Sequence, residues 1–223
     1  MVATHTVTKP LIKYNMLHLS SQKLLLGLSM TCLASIAPLG MLNNGIALGQ
    51  TVEQQTAFRT SALNEHNAKR AIYPIQPLTL AGNADPLSTG SQTWAEHLAL
   101  IGKLEHSSST ERNGAGENIF VAYDTDAVSA AKIGKDASDS WYSEVGNYDY
   151  ANPKFNASTG HFTQVVWKDT TTLGCGYAVG TATIDGNTYN AYYAVCRYTP
   201  AGNVEGNFPA NVLPPNPGML SGG

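Results

Sequence analysis

Residues 173–199, LGCGYAVGTATIDGNTYNAYYAVCRYT, hold two strand-like runs, 173–179 and 189–197, on either side of Asp185-Gly186-Asn187. A turn-forming triplet between runs rich in aromatic and β-branched residues predicts a hairpin centred near residue 185, and with it an antiparallel sheet. That centre sets Cys175 almost opposite Cys196. A disulfide is within reach of such a pair. It would close a loop of about 20 residues, worth on the order of 3 kcal/mol in the loop-entropy account. Two buried free thiols are the alternative.

The cysteine distribution bears on compartment. The chain has three cysteines in 223 residues, and Cys32 lies in an N-terminal segment unlike the rest. There Lys9, Lys13 and Lys23 precede an apolar run from Leu24 to about Leu42, and Ala47-Leu48-Gly49 offers small residues before a cut at Gln50. This is the layout of a secretory leader over 1–49. A retained membrane anchor is the alternative, although Pro38 and Gly40 interrupt the run. Export would leave Cys175 and Cys196 as the mature pair in an oxidising compartment. It would leave no membrane span after cleavage.

Outward from the hairpin, helical spacing of Phe58, Ala62, Leu63 and His66 predicts a first helix over 55–71. Asn64 and Asn67 are poor helix formers that prefer backbone partners, so both are expected to tether a neighbouring loop. A second helix is predicted over 88–101, with Trp94, Leu98 and Ile101 on one face and Gly102 as its stop. Alternation predicts a strand over 117–123. Residues 126–145 read as helical, in two pieces divided at Gly134. The second piece puts Glu144 on the face of Ala137 and Trp141, where a carboxylate needs a partner.

Gly160-His161-Phe162-Thr163-Gln164-Val165-Val166-Trp167 reads as a further strand, with Phe162, Val166 and Trp167 in the core. Before it, 146–160 is an irregular loop with Tyr148, Tyr150 and Phe155. Pro209, Pro214, Pro215 and Pro217 suggest a disordered tail over 208–223. The net charge of −3 and the 13% charged content exclude the electrostatic footprint of a nucleic-acid binder. No phosphate-binding glycine loop, C-x-x-C pair or G-x-S-x-G elbow is present.

Several motifs occur in order: Leu63-Asn64-Glu65-His66-Asn67 with Arg70, His106-Ser107, Gly116-Glu117-Asn118-Ile119, Trp141-Tyr142-Ser143-Glu144, residues 160–167, Gly174-Cys175-Gly176-Tyr177, and residues 193–203. This set resembles the CAP superfamily of cysteine-rich secretory proteins, antigen 5 and plant pathogenesis-related proteins of the first class, over about residues 55–207. The resemblance implies an α+β fold, a three-layer α-β-α sandwich with a central antiparallel sheet, in a domain over 50–207. It also implies a cleft lined by His106, Glu117, Glu144 and His161. His66, Asn118 and Gln164 are expected in structural hydrogen bonds. Plant members carry six cysteines, one of them where this chain has Gly102, so a chain with one bridge must rely more on its core.

Two functions follow from that cleft. Two neutral imidazoles, His106 and His161, can hold Zn²⁺ or another divalent metal weakly. A secreted, monomeric, non-enzymatic binding or defence-type protein would use such a cleft, with a sterol or other lipid, an extracellular protein or a cell-wall component as partner. The aromatic loop favours the lipid. The alternative is a metal-assisted hydrolase of peptide or cell-wall substrate acting through the same four residues. Ser107 beside His106 is disfavoured as a nucleophile, because adjacent residues on an extended chain point apart.

Overall fold

The computed structural model describes residues 50–218 and the backbone of Lys13–Tyr14. The expected leader and its cleavage site otherwise lie outside the described residues, as do residues 219–223 of the tail. Strand β1 is Lys13–Tyr14, followed by helix α1 (Val52–Arg70), β2 (Thr79–Leu80), α2 (Pro86–Ile101), β3 (Gly116–Asp124) and α3 (Ala130–Ser143). Next come the short helix α4 (Gly160–Val165), the long strands β4 (Thr172–Ile184) and β5 (Asn187–Thr199), and one further turn, α5 (Phe208–Asn211). Among the described residues, no helix is long and apolar enough to cross a membrane.

The hairpin forms as its turn chemistry predicts, and it is longer than the hydrophobic runs suggest. Asp185 and Gly186 take φ of 52° and 79°, the pair of left-handed conformations a two-residue turn needs to match strand twist. The resulting register pairs Cys175 with Cys196 directly, and the two are bonded. Strand β3 adds to the free side of β5, giving the order β1-β3-β5-β4-β2. All neighbours are antiparallel except the edge pair β2 and β4, which runs parallel over two residues. The sheet is antiparallel at its centre and mixed at that edge.

Alternation along the strands sends side chains to two cores, which makes the molecule three layers deep. On one face Phe120, Ala122, Tyr192, Ala194 and the disulfide pack under α1 and α3 with Phe58 and Trp141. On the other Ile119, Val121, Tyr193 and Val195 pack under α2 with Ala95 and Leu98. The helices start on side-chain caps. Thr51 and Gln54 form a capping box on α1, Asp85 accepts from the Leu87 N–H on α2, and Ser129 accepts from the Lys132 N–H on α3.

Three sequence expectations give way to tertiary contacts. Gly134 does not divide α3. It sits where α3 crosses α1, and a Cβ there would lie 2.6 Å from the Phe58 carbonyl oxygen, so the glycine permits close helix approach. Residues 160–165 are helical rather than extended. Phe162, Thr163 and Val165 fit any buried position, strand or helix, and the Glu144 carboxylate selects the helix by accepting the N–H groups of His161 and Phe162 at 2.9 and 3.1 Å.

The tail over 208–218 is ordered. Phe208 is buried with its ring edge-on to Trp167, Asn211 accepts the N–H groups of Lys168 and Asp169, and the Asn216 N–H donates to Ile72 O at 2.8 Å. One aromatic and one amide hold a segment whose proline content argues for disorder.

Candidate functional site

Glu117 is the second residue of β3, and cross-strand register places it opposite Arg197 of β5. Its side chain is fully buried. One carboxylate oxygen accepts from His106 Nδ1 at 2.9 Å and from the Ser107 N–H at 3.0 Å. The other accepts from Ser107 Oγ at 2.5 Å and Arg197 Nε at 3.1 Å. Burial by itself raises the Glu117 carboxyl, but the hydrogen bonds from His106 and Ser107 outweigh it and hold the group at about 2. Ser107 Oγ also accepts from Arg197 Nη2 at 3.0 Å, so this hydroxyl is locked in a network and does not face outward as a nucleophile would.

The second pair forms between the end of α3 and the start of α4. Glu144 follows α3 directly and is buried. It accepts from His161 Nδ1 at 2.8 Å in addition to the two backbone N–H groups that start α4. Its need for a partner, evident from its place beside Trp141, is thereby met three times over. Asn118 joins the pairs: it neighbours Glu117 in β3, and its Nδ2 donates to the His161 carbonyl at 3.1 Å. Gln164 fixes the same junction by accepting from the Gly202 N–H at 2.9 Å and donating to Thr170 Oγ1 at 3.2 Å. Asn118 thus ties the strand that carries Glu117 to the helix that carries His161.

Both histidines use Nδ1 on a carboxylate, which accepts only. Nδ1 then carries the proton and Nε2 presents its lone pair. Among the described residues, neither Nε2 has a protein partner. His106 is exposed and His161 nearly buried, so the two ring nitrogens meet solvent unequally. The donor set suits a divalent ion in one respect, since a histidine oriented by a carboxylate is a common ligand arrangement. It is sparse in another: among the described residues no group of three or more His, Cys, Asp or Glu side chains could hold a metal. A bound ion would complete its coordination with water.

The remaining expected hydrogen-bonding residues divide. Asn67 clamps Leu78 from both sides, donating to its carbonyl at 3.0 Å and accepting its N–H at 2.7 Å. Asn64 does not act as a tether. It is exposed on α1, and among the described residues its side chain makes no hydrogen bond. His66 lies outside the cleft and is wholly buried, with Nδ1 donating to Ala62 O at 2.7 Å and Nε2 accepting from the Tyr198 hydroxyl at 2.9 Å.

Burial depresses His66 to about 4. The unfolded chain therefore takes up a proton near pH 6.5 that the folded chain refuses, and stability falls as pH drops from 6.5 towards 4. The fall should amount to about 3 kcal/mol. Urea unfolding across that window should show the slope in the native chain and lose it in His66→Gln; an unchanged slope would assign the effect elsewhere.

Sequence reasoning passed over Arg197 and Arg112 as partners of Glu117. The signal for Arg197 was there: it is the one charge in the otherwise apolar run 191–198. Arg112 lies in a polar turn and carries no such mark.

Comparison with known proteins agrees with this architecture. The model of the Cysteine-rich secretory protein family, CAP, matches residues 63–198. Golgi-associated plant pathogenesis-related protein 1 of Homo sapiens is 39% identical over 171 residues, covering 75% of this chain and 99% of that protein. Protein PRY2 of Saccharomyces cerevisiae is 40% identical over 159 residues, covering 70% of this chain and 41% of that protein. The chain thus spans about two fifths of the yeast relative's length. Secreted protein RBT4 of Candida albicans is 35% identical over 161 residues, covering 70% of this chain and 38% of that protein. The solved structure of BmVAL-1 shares the fold with a TM-score of 0.52 at 24% identity, covering 67% of this chain and 79% of that one. The ordered motifs, the sandwich and the match over 63–198 have one reading: the chain belongs to the cysteine-rich secretory protein (CAP) family.

Proposed function

We propose that this is a secreted CAP-domain binding protein whose His106 and His161 hold a divalent metal such as Zn²⁺ through their free Nε2 atoms, and that the cleft is not hydrolytic. The supporting observation is the full engagement of both carboxylates. Glu117 accepts four hydrogen bonds and Glu144 three, each including one from a histidine Nδ1. A group held at about 2 is a weak base near neutral pH, far from the range in which proton abstraction is efficient. Glu117 and Glu144 act instead as positioning residues that fix the imidazole tautomers. A bound ion would supply Lewis acidity and a docking point for an oxygen-bearing partner. Secretion is supported by the disulfide, by the mature cysteine count and by the Candida albicans relative named as secreted.

The aromatic loop offers less apolar wall than its composition suggests. Tyr148 and Tyr150 pack edge to face with each other beside Phe162, and Phe155 alone of the three is exposed. A sterol or other lipid is therefore an outcome to be measured rather than the reading's foundation.

Calorimetric titration of chelator-stripped protein with zinc chloride should give one site. His161→Ala should weaken it more than about tenfold, and Glu144→Gln about 10- to 100-fold through loss of ligand orientation. Zinc affinity unchanged in His161→Ala would remove the metal reading and leave the pairs as scaffold. Zinc-stimulated cleavage of a peptide library, lost in His161→Ala, would replace the binder with the hydrolase. Mass spectrometry of material extracted from the purified protein reads any retained lipid.

A further inference from the structure

A cavity of about 510 Å³ opens between the N-terminal half of α2, the turn at 111–115 and the end of β5. It holds none of the four cleft side chains, although Arg112 and Arg197 in its wall both reach Glu117. Its size is that of a small-molecule site, about 300–1,000 Å³. Pro86 and Trp94 supply apolar surface, and Asp85, Glu111, Arg112 and Arg197 supply charge.

The charged groups of the wall differ in how far their hydrogen-bonding capacity is used. Asp85 accepts the Leu87 N–H as the cap of α2, and Glu111 accepts the Ser108 N–H. Arg197 donates to Glu117, to Glu111 O and to Ser107 Oγ. Its guanidinium lies hard against α2 at Gly90, where a Cβ would come within 2.4 Å of Nη1. It is fixed in place and already paired with its counter-ion Glu117. Arg112 differs. Its Nε is buried with no acceptor among the described residues, its approach to Glu117 Oε1 is long at 3.7 Å, and a quarter of its side chain is exposed. A guanidinium with unused donors can turn toward an incoming anion, and its planar fork matches a carboxylate.

We propose that this cavity is a second binding site, independent of any metal, that takes a small organic carboxylate with an apolar ring. The carboxylate pairs with Arg112 above Arg197, and the ring lies against Pro86 and Trp94. Arg112 is the specificity-determining residue, because a neutral isostere of the ligand leaves its buried N–H unpaired while losing the charge attraction.

Trp94 provides the readout. It is partly exposed at the cavity wall, whereas Trp141 and Trp167 are fully buried. The full chain, stripped of metal with EDTA, is titrated with benzoate, cyclohexanecarboxylate and benzamide while the three indole N–H resonances are followed by ¹H–¹⁵N NMR. Trp94→Phe assigns its peak. A saturable shift of the Trp94 signal is expected with both carboxylates, at least tenfold weaker with benzamide and at least tenfold weaker for benzoate in Arg112→Met. Unmoved Trp141 and Trp167 peaks in Arg112→Met show that the fold is intact. Three results overturn the proposal: no saturable Trp94 shift with either carboxylate, benzamide binding as well as benzoate, or unchanged benzoate affinity in Arg112→Met. Because the protein is metal-free throughout, none of these outcomes bears on zinc at His106 and His161.

Discussion

Arg70→Met should lower the unfolding free energy by about 3–5 kcal/mol, since each stranded buried acceptor costs about 1–3 kcal/mol. Arg70 is the last residue of α1 and is completely buried. Its Nε donates to Gln76 O at 2.9 Å, Nη1 to Val165 O and Trp167 O at 3.0 and 2.8 Å, and Nη2 to Thr170 O at 3.2 Å. One rigid fork thus ties the end of α1 to the connection before β2 and to the whole turn between α4 and β4. Burial pulls the guanidinium down to about 10, which leaves it charged at neutral pH. Methionine fills similar volume, so the cost is that of stranded carbonyls rather than a void. Arg70→Lys should recover only part, because a single ammonium cannot span four acceptors spread over three segments. Urea unfolding at neutral pH measures both; a loss under about 1 kcal/mol for Met would mean that water satisfies those carbonyls without strain.

Glu117→Gln should cost a comparable amount, about 3–5 kcal/mol, for a different reason. Every group aimed at this carboxylate is a donor: His106 Nδ1, the Ser107 N–H and hydroxyl, and Arg197 Nε. An amide presents an NH₂ to two of them and leaves the Arg197 charge, almost fully buried, without its counter-ion. The acid limb of the stability curve should change as well. With the folded Glu117 held at about 2, below its ordinary value of 4.5, the folded chain refuses a proton that the unfolded chain accepts. The native protein then loses about 3 kcal/mol as pH falls from 4.5 towards 2, and Glu117→Gln should lack that loss. Replacing both partners, as in Glu117→Leu with Arg197→Met, should be milder than the single change, since the buried Arg197 charge goes with its counter-ion and the Arg112 guanidinium that remains is partly exposed. A single variant as stable as the native chain would show that Glu111 neutralises Arg197 on its own.

The residues that were legible in advance share a property. The helical spacing of Phe58, Ala62 and His66, the stop of α2 at Gly102, the Asp185-Gly186 turn and the facing of Cys175 by Cys196 all follow from interactions within a few residues or from one turn's geometry. Glu144 also announced itself, because a carboxylate on the Trp141 face demands a partner whatever the fold. Its partner lies 17 residues on, in a stretch whose composition reads as strand.

What the sequence alone determined was therefore the hairpin and the facing of its two cysteines, and the positions of α1, α2 and β3, since local geometry carries that information; the ordered motifs pointed, through resemblance, to the two histidines and two glutamates. The tertiary structure decided the rest. It made 160–165 a helix by putting Glu144 at its N-terminus, ran α3 through Gly134 by crossing it on α1, ordered 208–218 by burying Phe208 on Trp167, and joined the two His–Glu pairs through Asn118, 43 residues from the carbonyl it holds. Each of these rests on a buried polar or close-packed contact between distant segments. Such contacts exist only once the sheet has brought those segments together, so no local pattern encodes them.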